Sequence, residues 1–227
     1  MLVTVTVDSH VQDLAVGLVE ATDIHISAAS EPLRHYTAQV AERVRQQGLR
    51  GGDERRAAVR RLLRAGGYRP AGRNKPAQEY LLRTIGEEPT LPSIWNAVDL
   101  INAVSLDSGL PISLVAVERT GPRLVVRYGR EGESYVFNRA GQDLDLAGLI
   151  CLCAGDPERA APAATPVKDS LLAKVTEHDR RVLACIYAPR SGISHEELSG
   201  WNQQLGEGFV RWCGASSFAS RLDPDTW

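Results

Sequence analysis

The segment "TLPSIWNAVDLINAVSLDSGLPIS", Thr90–Ser113, divides the chain into two kinds of sequence, helix-like before it and strand-like after it. Ser93 is a suitable N-cap and Gly109-Leu110-Pro111 a firm stop, so one helix is expected between them. On a helical wheel Ile94, Ala97, Val98, Ile101 and Val104 share a face that would pack on a core. Trp95, Asp99 and Asn102 follow one another at i, i+4 and i+7 and make a second, half-covered stripe beside that face. Half-buried Asp and Asn cost free energy unless they find partners. Two readings of the stripe stand together: Asp99 and Asn102 tie down neighbouring loops, or they contact a ligand.

Outward from this helix toward the N-terminus, "LVTVTV" (Leu2–Val7) alternates with period two and reads as a strand. Asp8 or Ser9 could cap a short helix through about Val16, and Gly17–Ile26 is a second strand. "EPLRHYTAQVAERVRQQG" reads as a helix, with Ser30 as cap and Pro32 in its first turn. A further helix covers about 53–65, a loop Tyr68–Pro76, and "AQEYLLRTI" a short helix. Toward the C-terminus, "ISLVAVERT", "RLVVRYG", "ESYVFN", "LAGLICLCAG" and "RRVLACIYAP" read as strands. "DPERAAPAATPVKDS" reads as a long Pro/Ala-rich loop, and a long loop in a compact domain is mobile or functional. "SHEELSGWNQQLGEGFVRWCG" is mostly helical, with a fraying polar end. The expectation is one mixed α+β domain, 1–227, with helices packed on a mainly antiparallel sheet. Its parts would be an N-terminal strand and helix portion (1–67), a core (75–189) and a C-terminal helical extension (190–227).

The 227 residues, 43% apolar and 24% charged, are ordinary for a soluble domain. A formal net charge of -2 argues against a broadly basic nucleic-acid surface. Basic residues concentrate only in "ERRAAVRRLLRAGGYRPAGRNK" (Glu54–Lys75), a solvated helix face plus loop or a phosphate-binding patch. Cys151, Cys153, Cys185 and Cys213 form no CxxC pair and have no His at ligand spacing, so no metal or other cofactor is expected. "MLVTVTVDSH" lacks the layout of a signal peptide, and no apolar run is long enough to span a membrane. A cytoplasmic location is therefore expected; the oligomeric state is left open.

The order "VDLINAVSLDSGLPI", "RLVVRYGREGESY", "LICLCAGDPE", "VTEHDRRVLACIYAP" resembles the editing domain of bacterial phenylalanyl-tRNA synthetase beta subunits and its free-standing relatives. The resemblance covers roughly 75–189 and rests on Val98, Asp99, Asn102, Val104, Gly109 and Pro111, on Arg127, Glu131, Gly132 and Glu133, on Gly155, and on Val182 and Leu183. The segment "TPVKDSLLAKVTEHDRRVLACIYAP" looks more like the free-standing relatives than the synthetase. What the resemblance implies is a pocket for an aminoacyl group and hydrolysis of a wrong amino acid from the 3′ end of misacylated tRNA. Such chemistry needs a positioned water, a polarised carbonyl and a grip on the amino acid. It does not need a Ser-His-Asp triad, and none of the five histidines has a triad-like setting.

Carried over residue by residue, the resemblance implies a substrate site built from Trp95, Asp99, Asn102, Ser113, Glu133, Gly155 and Asp156, with Asp156 the catalytic candidate. Arg69, Arg73, Lys75, Lys168 and Lys174 would hold tRNA, though Lys168, Asp169 and Lys174 could equally pair with one another. The chain departs from the family in several places. Ser113 stands where the synthetase has histidine, Asp156 where it has a longer Glu, Trp95 where relatives have Asn or Asp, and Asp179 where they favour Thr. A Trp95 wall with Asp99, Asp156 or Glu133 would suit an arginine-like, cationic amino acid. Trp95 as core and Glu133 as a brace of its turn are the plain alternatives. The second functional reading is a tRNA-independent binder, hydrolase or gatekeeper for a small amino-acid-derived molecule. A third is an interaction module displaying Trp201, Trp212 and Trp227, residues that also commonly anchor a terminal helix.

Overall fold

Strand β2 (Leu14–Thr22) is buried along all but its last residue, because it lies between two partners and is covered on both faces. The computed structural model describes residues 2–88, 90–225 and 227. Strand β1 (Thr4–Val7) precedes β2, and helices α1 (Glu31–Gln47), α2 (Gly52–Arg64), α3 (Ala77–Glu87) and α4 (Asn96–Ser108) follow it. Next come β3 (Ile112–Ala116), the short α5 (Val117–Thr120), β4 (Arg123–Tyr128), β5 (Ser134–Val136), β6 (Asp143–Asp145), β7 (Ile150–Ala154) and β8 (Ala161–Ala164). The chain closes with β9 (Arg181–Pro189), α6 (His195–Cys213) and β10 (Ser217–Asp223).

One sheet runs β10-β2-β9-β3 and is antiparallel throughout. The other runs β1-β4-β7-β8, with β1 parallel to β4 and the other pairs antiparallel; β5 and β6 form a separate two-stranded ribbon. The fold is the expected α+β class. The pairing weaves the ends into the middle: β1 joins β4, and β10 joins β2. The extension 190–227 is therefore not only helical. Its polar-looking end is an edge strand, whose alternation was diluted by Ser and Arg on the outer face. The residues between β1 and β2 form turns rather than a short helix, with Asp8 held by His10 through a 2.9 Å N–H bond to its carboxylate. The Pro/Ala-rich loop contains β8, paired to β7.

Helix α4 begins at Asn96, two residues after the expected start, so Ile94 lies outside it and is 56% exposed. The helix packs on α1, α3, α6 and β3 and is buried nearly all round. Leu100, Ile101 and Val104 enter the main core; Ala103 and Leu106 enter a smaller one with Val40, Val44, Leu81 and Ile85. Its polar residues thus sit inside the protein, and each buried one is matched as burial requires. Asp107 meets Arg43 at 2.6 Å and Arg50 at 3.3 Å; the Ser105 hydroxyl donates to Leu110 O at 2.6 Å. Gly109 ends the helix in the left-handed region, φ 71°, where a Cβ would also lie 2.9 Å from Arg50 O. No helix among the described residues is long and apolar enough to cross a membrane.

Candidate functional site

Of the residues singled out around α4, Asp99 and Trp95 serve the helix entry. The Asp99 carboxylate accepts the Ser93 hydroxyl at 2.5 Å and the Ile94 N–H at 2.8 Å, and so fixes the turn that Ser93 was expected to cap. Trp95 is the N-cap residue, half-buried against the main core. Asn96, which the sequence reading passed over, is the buried anchor: its amide donates to His25 O at 2.8 Å and accepts from the Ser27 N–H at 3.2 Å. Asn102 is half-buried in the middle of α4.

Glu133 and Arg127 form a forked ion pair, both bonds 2.8 Å, and Glu133 also accepts the Arg130 N–H at 2.7 Å. Arg127 goes on to donate to Ala160 O at 2.8 Å, tying β4 to the start of β8. Asp156 lies on the surface, 3.2 Å from Arg123, beyond Gly155, whose φ is 113°. Asp179 is buried and accepts the Thr176 N–H, with Arg119 beside it. Trp95, Glu133 and Asp156 thus occupy three separate settings, and the carboxylates of Asp99, Glu133 and Asp156 are all engaged.

A different cluster forms around Asp169. Thr165 starts it: its hydroxyl accepts the Lys168 N–H at 3.1 Å and donates to Lys168 O at 2.7 Å, closing a tight turn. Tyr135 of β5 donates to the same Lys168 carbonyl at 2.5 Å, and Ala77 at the start of α3 donates to Pro166 O at 2.9 Å. The turn therefore presents Asp169 to the free edge of β3. There the Leu114 N–H donates to Asp169 Oδ2 at 3.2 Å, while Oδ1 is closed to solvent and has no partner. Burial pushes the Asp169 carboxyl up to about 7, against the lowering effects of the Leu114 N–H, the Lys174 charge and the Thr165 backbone. Next to it in the sheet, the buried Ser113 hydroxyl bonds the Tyr187 hydroxyl at 2.9 Å. Burial raises the Tyr187 and Tyr135 phenols well above their ordinary value, with Asp169 adding to both.

Two of the residues expected to hold tRNA, Lys168 and Lys174, border this cluster, and Arg73 lies near Lys168. Lys168 Nζ lies 4.0 Å from the centre of the Phe137 ring, and Lys174 Nζ donates to Phe137 O at 2.6 Å. Partial burial and the nearby charges of Arg73 and Lys174 lower the Lys168 ammonium. Lys75 is half-buried and Arg69 exposed. Elsewhere in the basic stretch, Arg55 is buried against Glu197, and Arg60 forks onto Glu79. Of the expected site, then, Ser113, Lys168 and Lys174 lie about one aspartate, and Arg73 lies near Lys168.

The Trp residues near the C-terminus hold the fold. Trp201 is buried, Trp212 stacks on Tyr36 with centroids 4.6 Å apart, and Trp227 Nε1 donates to Ile193 O at 3.4 Å. An open cleft of about 490 Å³ is lined by Leu2, Glu20, Thr22, Asp23, Arg180 and Arg181, away from the Asp169 cluster. No group of His, Cys, Asp or Glu among the described residues could hold a metal ion. No family model matches the chain, and no curated protein matches it.

Proposed function

We propose that the chain is a free-standing relative of the phenylalanyl-tRNA synthetase editing domain and hydrolyses the ester that joins a wrong amino acid to the 3′ end of tRNA. The observation that carries this is Asp169. It is a carboxyl raised to about 7, with one oxygen that has no hydrogen-bond partner, within reach of the Lys174 charge and next in the chain to Lys168. It also lies in the segment Thr165–Pro189, whose sequence looks most like the free-standing relatives. A base that titrates near neutrality is matched to proton transfer from water at physiological pH. In the proposed step, Asp169 takes a proton from water as the water oxygen bonds to the ester carbonyl carbon. The bond from that carbon to the ribose oxygen then breaks, and the ribose oxygen recovers the proton. Oδ1 is closed to solvent, so the step requires that water be admitted to it.

The small-molecule reading, without tRNA, is favoured by the formal net charge of -2. One experiment separates the two: release of amino acid from a panel of misacylated tRNAs and from simple amino-acid esters, with Asp169→Asn, Asp156→Ala and Trp95→Asn beside the parent. Turnover of tRNA esters that drops on the order of 100-fold in Asp169→Asn supports the proposal. Turnover of simple esters alone supports the small-molecule reading. Full activity in Asp169→Asn removes the base, and an inert parent removes the hydrolase.

A further inference from the structure

The proposed step needs water at Asp169 Oδ1, an oxygen closed to solvent and without a hydrogen-bond partner. Five other buried side-chain atoms among the described residues share that condition, and two of them belong to one residue, Gln78. The rest sit on side chains that are otherwise engaged. Asn202 donates through Nδ2 to Arg221 O, Arg127 holds Glu133, and Arg43 lies 2.6 Å from Asp107. Gln78 alone in this set has both ends of its amide open, and it is 0% exposed. A buried amide with neither end satisfied is costly, so its presence points to a ligand.

Its place in the fold narrows what that ligand is. Leu81 and Ile85, three and seven residues further along α3, enter the smaller core, so Gln78 lies on the inner face of the helix. It is the polar end of an apolar stripe, in the first turn. Ala77, beside it, donates from its N–H to Pro166 O at 2.9 Å. That bond sets the first turn of α3 against the turn Thr165–Lys168, which Asp169 follows directly. Gln78 and Asp169 are therefore carried by the two elements that this bond joins.

A ligand enclosed there is small, and it both donates and accepts. Water does both, and buried waters join polar groups that the protein leaves unpaired. One hydrogen of such a water serves Asp169 Oδ1 and the other Gln78 Oε1, and a lone pair of its oxygen stays free for the ester carbon. We infer that Gln78 is a positioning residue that holds, with Asp169, the water that hydrolysis consumes. The inference rests on the proposed function for the fate of that water, not for its place.

The test starts on the isotopically labelled parent chain. The Gln78 side-chain amide should show a cross-peak to water that reverses sign between NOESY and ROESY spectra, as a bound water does and chemical exchange does not. Gln78→Met keeps the reach of the side chain and removes the amide. It should lower kcat for release of amino acid from misacylated tRNA by about tenfold or more, with KM within about twofold. Gln203→Met, at an exposed position on α6, makes the same change and should leave kcat within about twofold. A Gln78 amide with no such cross-peak, a folded Gln78→Met at full kcat, or a loss confined to KM overturns the inference. Where the variant does not fold, the parent spectrum decides alone. The cross-peak together with every misacylated tRNA and simple ester left intact keeps the water site and sinks the hydrolase. Hydrolysis by a parent that lacks the cross-peak does the reverse.

Discussion

Leu114 and Asp169, 55 residues apart in the chain, meet where the Leu114 N–H donates to Asp169 Oδ2 at 3.2 Å. The bond shares the outer edge of β3 with one from the Ala116 N–H to Ala173 O at 3.0 Å, and it draws into the protein a carboxyl whose other oxygen has no hydrogen-bond partner.

Such an aspartate makes stability depend on pH in the sense opposite to the common one. Burial raises the folded pKa to about 7, above an ordinary value of 3.8. Between these values the folded chain keeps a proton that the unfolded chain has lost, so stability falls as pH rises through the window. The full effect is on the order of 2–4 kcal/mol above pH 7. Asp169→Asn, which cannot ionise, should gain in melting temperature relative to the parent between pH 5 and 8. A difference in melting temperature that stays flat across that range would mean that Asp169 titrates like a solvated acid.

The sequence carried the fold class because its long apolar runs are unambiguous: β9 and α4 are readable from Val182–Ala188 and Ala97–Leu106. It did not carry β10, since an edge strand shows one apolar residue in two and "SFASRLD" shows fewer. Nor could it separate a helix stripe that lines a site from one that ties loops. Asp99 and Asn96 became legible as anchors only once Ser93, Ile94 and Ser27 were placed beside them. The signal for Asp169 was present in "TPVKDS", a polar run between an Ala/Pro-rich stretch and two leucines. What raises its pKa is burial against a distant strand, and no local pattern announces that.

The Arg127–Glu133 pair braces the turn after β4, and its removal should be felt in stability. Glu133→Ala leaves the Arg127 guanidinium, 6% exposed, without its counter-charge. Breaking such a pair from one side costs about 3 kcal/mol. The Arg127 guanidinium holds the Glu133 carboxyl below the usual carboxylate range. A depressed folded pKa gives stability that is present above the unfolded value and is lost as pH falls through the folded one. The urea midpoint of Glu133→Ala should therefore drop at pH 7, and the gap from the parent should close in acid below about pH 4. A gap that persists in acid would assign the loss to packing.

Strand β10 is a working part of the sheet. Seven residues, Ser217–Asp223, pair with β2, and the Phe218 ring lies where a Cβ on Gly206 of α6 would be, 2.2 Å away. A chain ending at Ser216 should expose the β2 edge and the apolar side of α6 together. The expected result is loss of cooperative thermal unfolding and a rise in aggregation, read by circular dichroism and light scattering. An unchanged melting transition would show that β10 contributes nothing to the sheet.

Ser113 sits where a larger side chain has no free space. Its side chain is 1% exposed, it lies in register with Cys185, and its hydroxyl meets that of the fully buried Tyr187. Ser113→Ala removes the partner of a buried hydroxyl and should cost about 1–3 kcal/mol. Tyr187→Phe removes the other half, so the double variant should lose less than the sum, with a coupling of about 1 kcal/mol. Ser113→His forces a ring into a packed position and should cost more than either single change, because overpacking alone costs about 1–3 kcal/mol and the Ser113–Tyr187 bond is lost as well. Urea unfolding of the four variants checks the order. A Ser113→His chain as stable as the parent would show room at β3 for a larger side chain beside Tyr187.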